Sequence, residues 1–414
     1  MKLAVFCWEF YPKLVGGLGT YAIEITRKFV ELGHEVTVFT LNDGTMKTKE
    51  EWEGIEIHRP MILDSSDIFP FFVTEDLRKW GKNIKLFSDI FAYNLLSASK
   101  FVNFCIKKEG RKFDIAVVHD WLSSISGLLI KKDMGKLPVA FHVHSAEQQR
   151  SLGGGSEVVK YLEKTMARKA DHVITVSNSM KDYLASLAFP SDKITACYNG
   201  CDPEKYNITK VNKRELDELR KRYKIKDNEK VIFFVGRLTW VKGVYNLVHA
   251  MPSILKDFPN TRLVILGKGE QYNDLIAHIQ KNNIADKVDI RSEWVDEEER
   301  ILHYALADLC VFPSISEPFG IVSLECMSME KPIVVGASGV SGLKEQVIAS
   351  GKGKTGIHVN GENADDIAWG VKEILKNFDE AMKWGKNGRK RVLKEFTWDV
   401  AAKKTLSIYE ALNK

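Results

Sequence analysis

Residues 310–335, CVFPSISEPFGIVSLECMSMEKPIVV, decide how the rest of the chain is read. A short apolar strand, Leu309 to Phe312, runs into a turn; a helix carries Phe319 to Met329, and a second strand follows from Pro332 to Val335. Two carboxylates bracket the unit. Glu317 sits in the Ser316-Glu317-Pro318 turn and Glu325 lies eight positions later, about two helical turns on. The amides of Phe319, Gly320, Ile321 and Val322 open the helix, where backbone N–H groups lack intrahelical partners and attract anions. A phosphate suits that position. Carboxylates repel phosphate, so the partners of Glu317 and Glu325 are hydroxyls, which donate to acceptor-only groups. A ligand with phosphates in the middle and hydroxyl-bearing rings at either end meets both demands, and nucleotide sugars have that layout. Taken singly, Glu317 reads better as a helix-start residue and Glu325 as a solvated or paired helix face; it is the combination that points to a ligand.

Together, Ser316-Glu317-Pro318-Phe319-Gly320-Ile321, Glu325, Pro332 and Val334-Val335 resemble the E-x7-E signature of retaining nucleotide-sugar glycosyltransferases of family 4 and the related glycogen synthases. The resemblance implies a GT-B fold, with two Rossmann-like, doubly wound parallel-sheet α/β domains facing a central cleft. It assigns Glu317 to the transferred sugar and Glu325 to the nucleotide ribose. The expected divisions are an acceptor-side domain over 1–205, a donor-binding domain over 206–395, and a last helix, 396–414, crossing back to the first domain.

Upstream of the opening stretch, VIFFVGR ends a strand at Gly236-Arg237-Leu238, and Lys242-Gly243 precedes a helix from Val244 to Leu255. Arg237 and Lys242 are five positions apart around a turn, so both cations can converge on one anion. A planar fork and a compact point charge complement a diphosphate. Both match the family's Gly-Arg-Leu…Lys-Gly motif. The charged segment from Asn207 to Asn228 reads as the crossing between domains.

The first half opens with a βαβ unit: strand Leu3 to Cys7, a helix from about Thr20 to Leu32, and strand Glu35 to Thr40. Gly17-Leu18-Gly19-Thr20-Tyr21-Ala22 fits the dinucleotide G-x-G-x-x-A pattern, and Asp43 after the second strand makes an NAD-dependent oxidoreductase a rival. Against it, Trp8 to Val15 separate the strand from the first glycine. The same loop resembles the Lys-x-Gly-Gly-Leu loop of glycogen synthases, which implies that Gly16 and Gly17 approach the donor diphosphate; Lys13 is displaced by one position and is not carried over. Strands Ile115 to Val118 and Val139 to Val143 end in His119-Asp120-Trp121 and His144-Ser145. Residues beyond a parallel strand's C-terminal end face the ligand crevice. Both segments resemble glycogen-synthase motifs, which implies that Asp120 and His144 touch the donor sugar. Residues 75–108 are helical in period, with basic and aromatic residues interleaved, and read as a packed helix pair. A basic amphipathic helix can also lie on anionic lipid, which leaves a peripheral membrane or acceptor contact open.

The 60 basic and 55 acidic residues nearly balance at net +5, without the concentrated basic face that nucleic acid demands. Six cysteines show no C-x-x-C pair and read as reduced core residues, and no apolar run is long enough to span a membrane. These features point to a cytoplasmic protein of two domains. The sequence shows neither a D-x-D pair nor a His/Cys ligand cluster, so no metal and no cofactor are expected, the nucleotide sugar being a substrate. The resulting reading is a hexosyltransferase that elongates a glucan from ADP- or UDP-glucose. Another glycoside product, such as a lipid-linked sugar or a disaccharide, is the nearest alternative; an epimerase on the same fold or a non-catalytic binder would give no transfer product.

Overall fold

Near-continuous apolar runs such as LAVF and VIFFV make strands buried on both faces, which is what parallel sheets require. The structure is a computed structural model and describes residues 1–414 except 15, 72, 74, 82 and 83. Contacts divide it into two units, Met1–Tyr198 with Trp398–Lys414, and Asn199–Thr397. The segment from Asn207 to Asn228 thus belongs inside the second unit, where its helix Lys213–Arg222 packs on the helix Glu297–Leu306.

In the first unit the strands are β1 (Lys2–Phe6), β2 (Glu35–Phe39), β3 (Lys49–Trp52), β4 (Ile55–His58), β5 (Ile115–His119), β6 (Val139–Val143), β7 (His172–Thr175) and β8 (Ile194–Ala196). They form one sheet in the order β3-β4-β2-β1-β5-β6-β7-β8. Every pairing is parallel except β3 with β4, a hairpin turned by Glu53 and Gly54, both at positive φ. The second unit holds β9 (Lys230–Val235), β10 (Thr261–Leu266), β11 (Val288–Arg291), β12 (Leu309–Phe312), β13 (Ile333–Gly336) and β14 (Gly356–Val359). Their order is β11-β10-β9-β12-β13-β14, parallel throughout. Each unit is a Rossmann-like doubly wound domain, and together they make the GT-B pair.

Residues 75–108 depart from the expected helix pair. A single turn, Glu75–Arg78, precedes the helix Ile84–Ser99, which runs on in wider π-type turns through Lys100–Lys108. Its buried face, with Phe87, Ile90, Tyr93 and Phe101, packs inward, so one long helix serves where two were expected. All six cysteines are buried and unpaired. Among the described residues no helix is long and apolar enough to cross a membrane.

Candidate active site

In an open α/β sheet the ligand crevice lies at the C-terminal ends of the strands where the order reverses. The second unit reverses between β9 and β12, because the chain runs from β9 outward to β10 on one side and returns to β12 on the other. Gly236-Arg237 follows β9, and the Pro313 to Gly320 loop follows β12. The two loops are tied together through the turn Trp240–Lys242: Ile315 N donates to Val241 O at 2.9 Å, and Ser316 N at 3.4 Å. Gly243 makes this closeness feasible. It is left-handed at φ 67, and a Cβ there would lie 2.0 Å from Pro313 O.

The consequence is an ion pair between Lys242 Nζ and Glu317 Oε2, to which Ser314 Oγ also donates at 3.4 Å. Glu317 is itself held at its backbone: its N donates to Val340 O, and its O accepts from Gly342 N, both at 2.8 Å. Arg237 differs. It is exposed and has no ion pair among the described residues. The two cations therefore do not share a partner in this structure.

The helix after this loop is Ile321–Ser328, shorter at both ends than the periodicity suggests. Gly320 is its cap at φ 86, so Ile321 and Val322 open the helix, while Phe319 lies before it, buried, with its carbonyl accepting from Gln346 Nε2 at 2.8 Å. Glu325 is buried one turn and more inside. It accepts from Tyr304 Oη at 2.7 Å and Tyr206 Oη at 3.0 Å, and pairs with Arg300 at 3.3 Å. Glu325 raises the Arg300 pKa, and burial, followed by the Glu325 charge, pushes both tyrosines up, so all three remain donors. A ribose hydroxyl reaching Glu325 would share these acceptor sites.

The first unit reverses between β1 and β5. Asp120 follows β5 at φ 53, ψ 179, a region nearly reserved for glycine. Four hydrogen bonds hold it there: its N donates to His142 O at 2.8 Å, its O accepts from Ser123 N at 3.2 Å and Ser124 Oγ at 3.1 Å, and its Oδ1 accepts from His144 N at 2.7 Å. His144 Nε2 lies 3.0 Å from His119 Nδ1, under the Tyr21 ring. His142 Nε2 lies 2.7 Å from Tyr409 Oη on the C-terminal helix Trp398–Leu412. Burial lowers the pKa of all three histidines, which keeps them neutral at pH 7. The fold thus assembles a histidine cluster that the sequence does not show as one: one ring nitrogen from each of His119, His142 and His144 lies within 4.8 Å of the others.

Gly16 N donates to Glu9 Oε2 at 3.1 Å, and Gly17 begins the helix Gly17–Glu31. A Cβ added to either glycine would meet nothing within 4 Å, and neither has a positive φ, so the fold itself does not demand glycine there. Lys13 pairs with Asp43, which also accepts from Thr45 N at 3.0 Å and Thr45 Oγ1 at 2.6 Å. That occupies the acid which the dinucleotide reading needs for a ribose.

Sequence reasoning missed Tyr206, Arg300 and Tyr304 around Glu325, and His119 beside His144. Arg300 and Tyr304 stand at i, i+4 on one helix face, a spacing that marks a shared partner. Tyr206 carries no such signal.

Two Rossmann-like parallel-sheet domains are the architecture of the GT-B class. Residues 15–205 match the family model Glycosyltransferase Family 4, and residues 215–391 match Glycosyl transferases group 1. An uncharacterised glycosyltransferase of Methanocaldococcus jannaschii is 32% identical over 99% of this chain and 98% of its own length. A glycogen synthase of Mycobacterium tuberculosis is 25% identical over 99% of this chain and 95% of its own. A sucrose-phosphate synthase from Thermosynechococcus elongatus superposes with a TM-score of 0.81 at 23% identity, covering 99% of this chain and 98% of that one. The chain belongs to the family 4/group 1 glycosyltransferases and transfers a sugar from a nucleotide donor to an acceptor.

Proposed function

We propose that the protein is a retaining, metal-independent hexosyltransferase that moves glucose from ADP- or UDP-glucose onto a growing α-glucan. The observation that carries this reading is the Lys242–Glu317 pair, held on two stapled loops beside the Gly320 to Val322 helix start. On donor binding, Lys242 and Arg237 take the diphosphate together with the open amides, and Glu317 is released to accept from a sugar hydroxyl. As the bond between the anomeric carbon and the phosphate oxygen breaks, negative charge gathers on the leaving group, where these preorganised donors stabilise it. The acceptor hydroxyl attacks from the same face and its proton passes to the departing phosphate oxygen. Asp120 and neutral His144 contact the sugar's hydroxyls, Glu325 the ribose, and the open backbone at Gly16 and Gly17 the diphosphate. Two side-chain cations fill the charge role of a divalent ion. The 25% identity to a glycogen synthase along the whole chain supports a glucan acceptor.

The test is a panel of nucleotide sugars assayed for slow donor hydrolysis, followed by an acceptor screen with the preferred donor and NMR of the product's anomeric proton. An α-linked glucose on the end of a glucan is the expected result. Hydrolysis restricted to a non-glucose donor, or an inverted product, overturns the reading.

A further inference from the structure

In the second unit the helices Val244–Asp257 and Ala364–Lys376 pack side by side, and the C-terminal half of the first leaves, against the length of the second from Asp365 to Lys376, a surface groove of about 470 Å³. It is remote from the switch point: Lys242 precedes the first helix and Asp257 ends it, roughly 20 Å along the axis at 1.5 Å per residue. One wall is Trp369, half exposed, with no aromatic or cationic ring contact among the described residues. The floor is fixed, because Lys372 Nζ bonds Asp257 at 2.5 Å and Ser253 Oγ at 3.0 Å.

That pair neutralises itself. The remaining polar lining, Asp365 and Glu373 against Lys376, leaves little net field to select an ion. The Asp365 carboxylate has no hydrogen-bond or ion-pair partner among the described residues and stands ready as an acceptor, and the indole N–H is a donor. A flat aromatic face with a few oriented polar groups, in a pocket of ordinary ligand size, complements a neutral ring bearing an apolar C–H face and hydroxyl edges. A sugar ring has both surfaces.

We propose that this groove is a second carbohydrate site, which holds an internal stretch of the acceptor glucan away from its growing end. The proposal rests on the glucan-acceptor reading above. It gives Trp369 the stacking role and Asp365 that of hydroxyl acceptor.

The test titrates the full chain with maltoheptaose by calorimetry, in wild type and in Trp369→Ala, with thermal melts confirming an unchanged fold. Trp369→Ala is expected to weaken binding at least about tenfold and Asp365→Asn to weaken it less. Transfer to glycogen should lose about fivefold in kcat/KM in Trp369→Ala, while transfer to maltotriose, too short to reach the groove, stays at the wild-type rate. Equal maltoheptaose affinity in wild type and Trp369→Ala overturns the groove, whatever the transfer assay gives. Trp369-dependent binding without transfer to either glucan overturns the acceptor reading and its internal-stretch role, and leaves a carbohydrate site standing.

Discussion

The two switch points are built from opposite materials. In the second unit the working groups carry charge: Lys242 locked to Glu317, and Arg237 exposed and unpaired. In the first unit the corresponding groups are histidines kept neutral by burial, around an aspartate on strained backbone. Charge answers charge, so the second unit suits a diphosphate; neutral donors and acceptors discriminate hydroxyls without a strong field, so the first suits a sugar. Under the proposed function the difference also divides the chemistry. Stabilising a leaving group whose charge grows is a task for preorganised cations, and reading a hexose is a task for a rigid hydrogen-bond array, here neutral histidines around the Asp120 carboxylate.

The comparison breaks most visibly at Lys242. Lys242→Ala is expected to lose about 10²–10³ in kcat, on the order of 2.7–4 kcal/mol, with a smaller change in KM, because the contact strengthens as the phosphate departs. Steady-state kinetics with the preferred donor measures it. A loss confined to KM would make Lys242 a ground-state anchor and remove it from the leaving-group role.

Acid should sharpen the contrast next. A histidine whose folded pKa lies below its unfolded value of about 6.5 contributes stability that is complete above that pH. The contribution is lost as pH falls through the window down to the folded pKa, since the unfolded chain binds the proton first. Each such ring adds a slope of up to about 1.4 kcal/mol per pH unit. The first unit has six lowered histidines, His34, His58, His119, His142, His144 and His172, against His278, His303 and His358 in the second. Hydrogen exchange between pH 6.5 and 5 should therefore show β5 and β6 losing protection more steeply than β9 and β12. Equal slopes would mean that the histidine cluster takes up protons without cost and is not a rigid neutral array.

Much of this was legible in the sequence, and the failures have physical causes. Strands such as Val139–Val143 and Leu309–Phe312 were readable because burial on both faces leaves an unbroken apolar run. The β3–β4 hairpin was not, because KEEW is a solvent-facing edge strand without that signature. Resemblance to family motifs singled out Glu317, Lys242, Asp120 and His144. It could not show that Lys242 would close on Glu317, since that contact depends on Gly243 letting one turn sit against the Pro313 carbonyl. The cluster of His119, His142 and His144 was hidden for a similar reason: β5 and β6 are separated by a helix in sequence and are neighbours only in the sheet.

Arg237 gives the smallest expected effect and the cleanest separation of function from fold. Its side chain is exposed and forms no ion pair among the described residues, so Arg237→Ala removes no structural partner, and its thermal midpoint should match wild type. Activity should still fall by at least about tenfold, ~1.4 kcal/mol, because the guanidinium gains its partner only when the diphosphate arrives. Arg237→Lys should recover part of the rate, since a point charge replaces the fork without its bidentate geometry. An exposed cation whose loss slows turnover and leaves stability untouched can act only through a ligand, and the ligand its geometry suits is an anion. If Arg237→Ala turns over at the wild-type rate, the second unit keeps one working cation, and Lys242 alone, partly neutralised by Glu317, must carry the charge of a diphosphate. That would tilt the balance toward a bound metal, which equilibrium dialysis of the donor-bound protein against Mg²⁺ would then reveal.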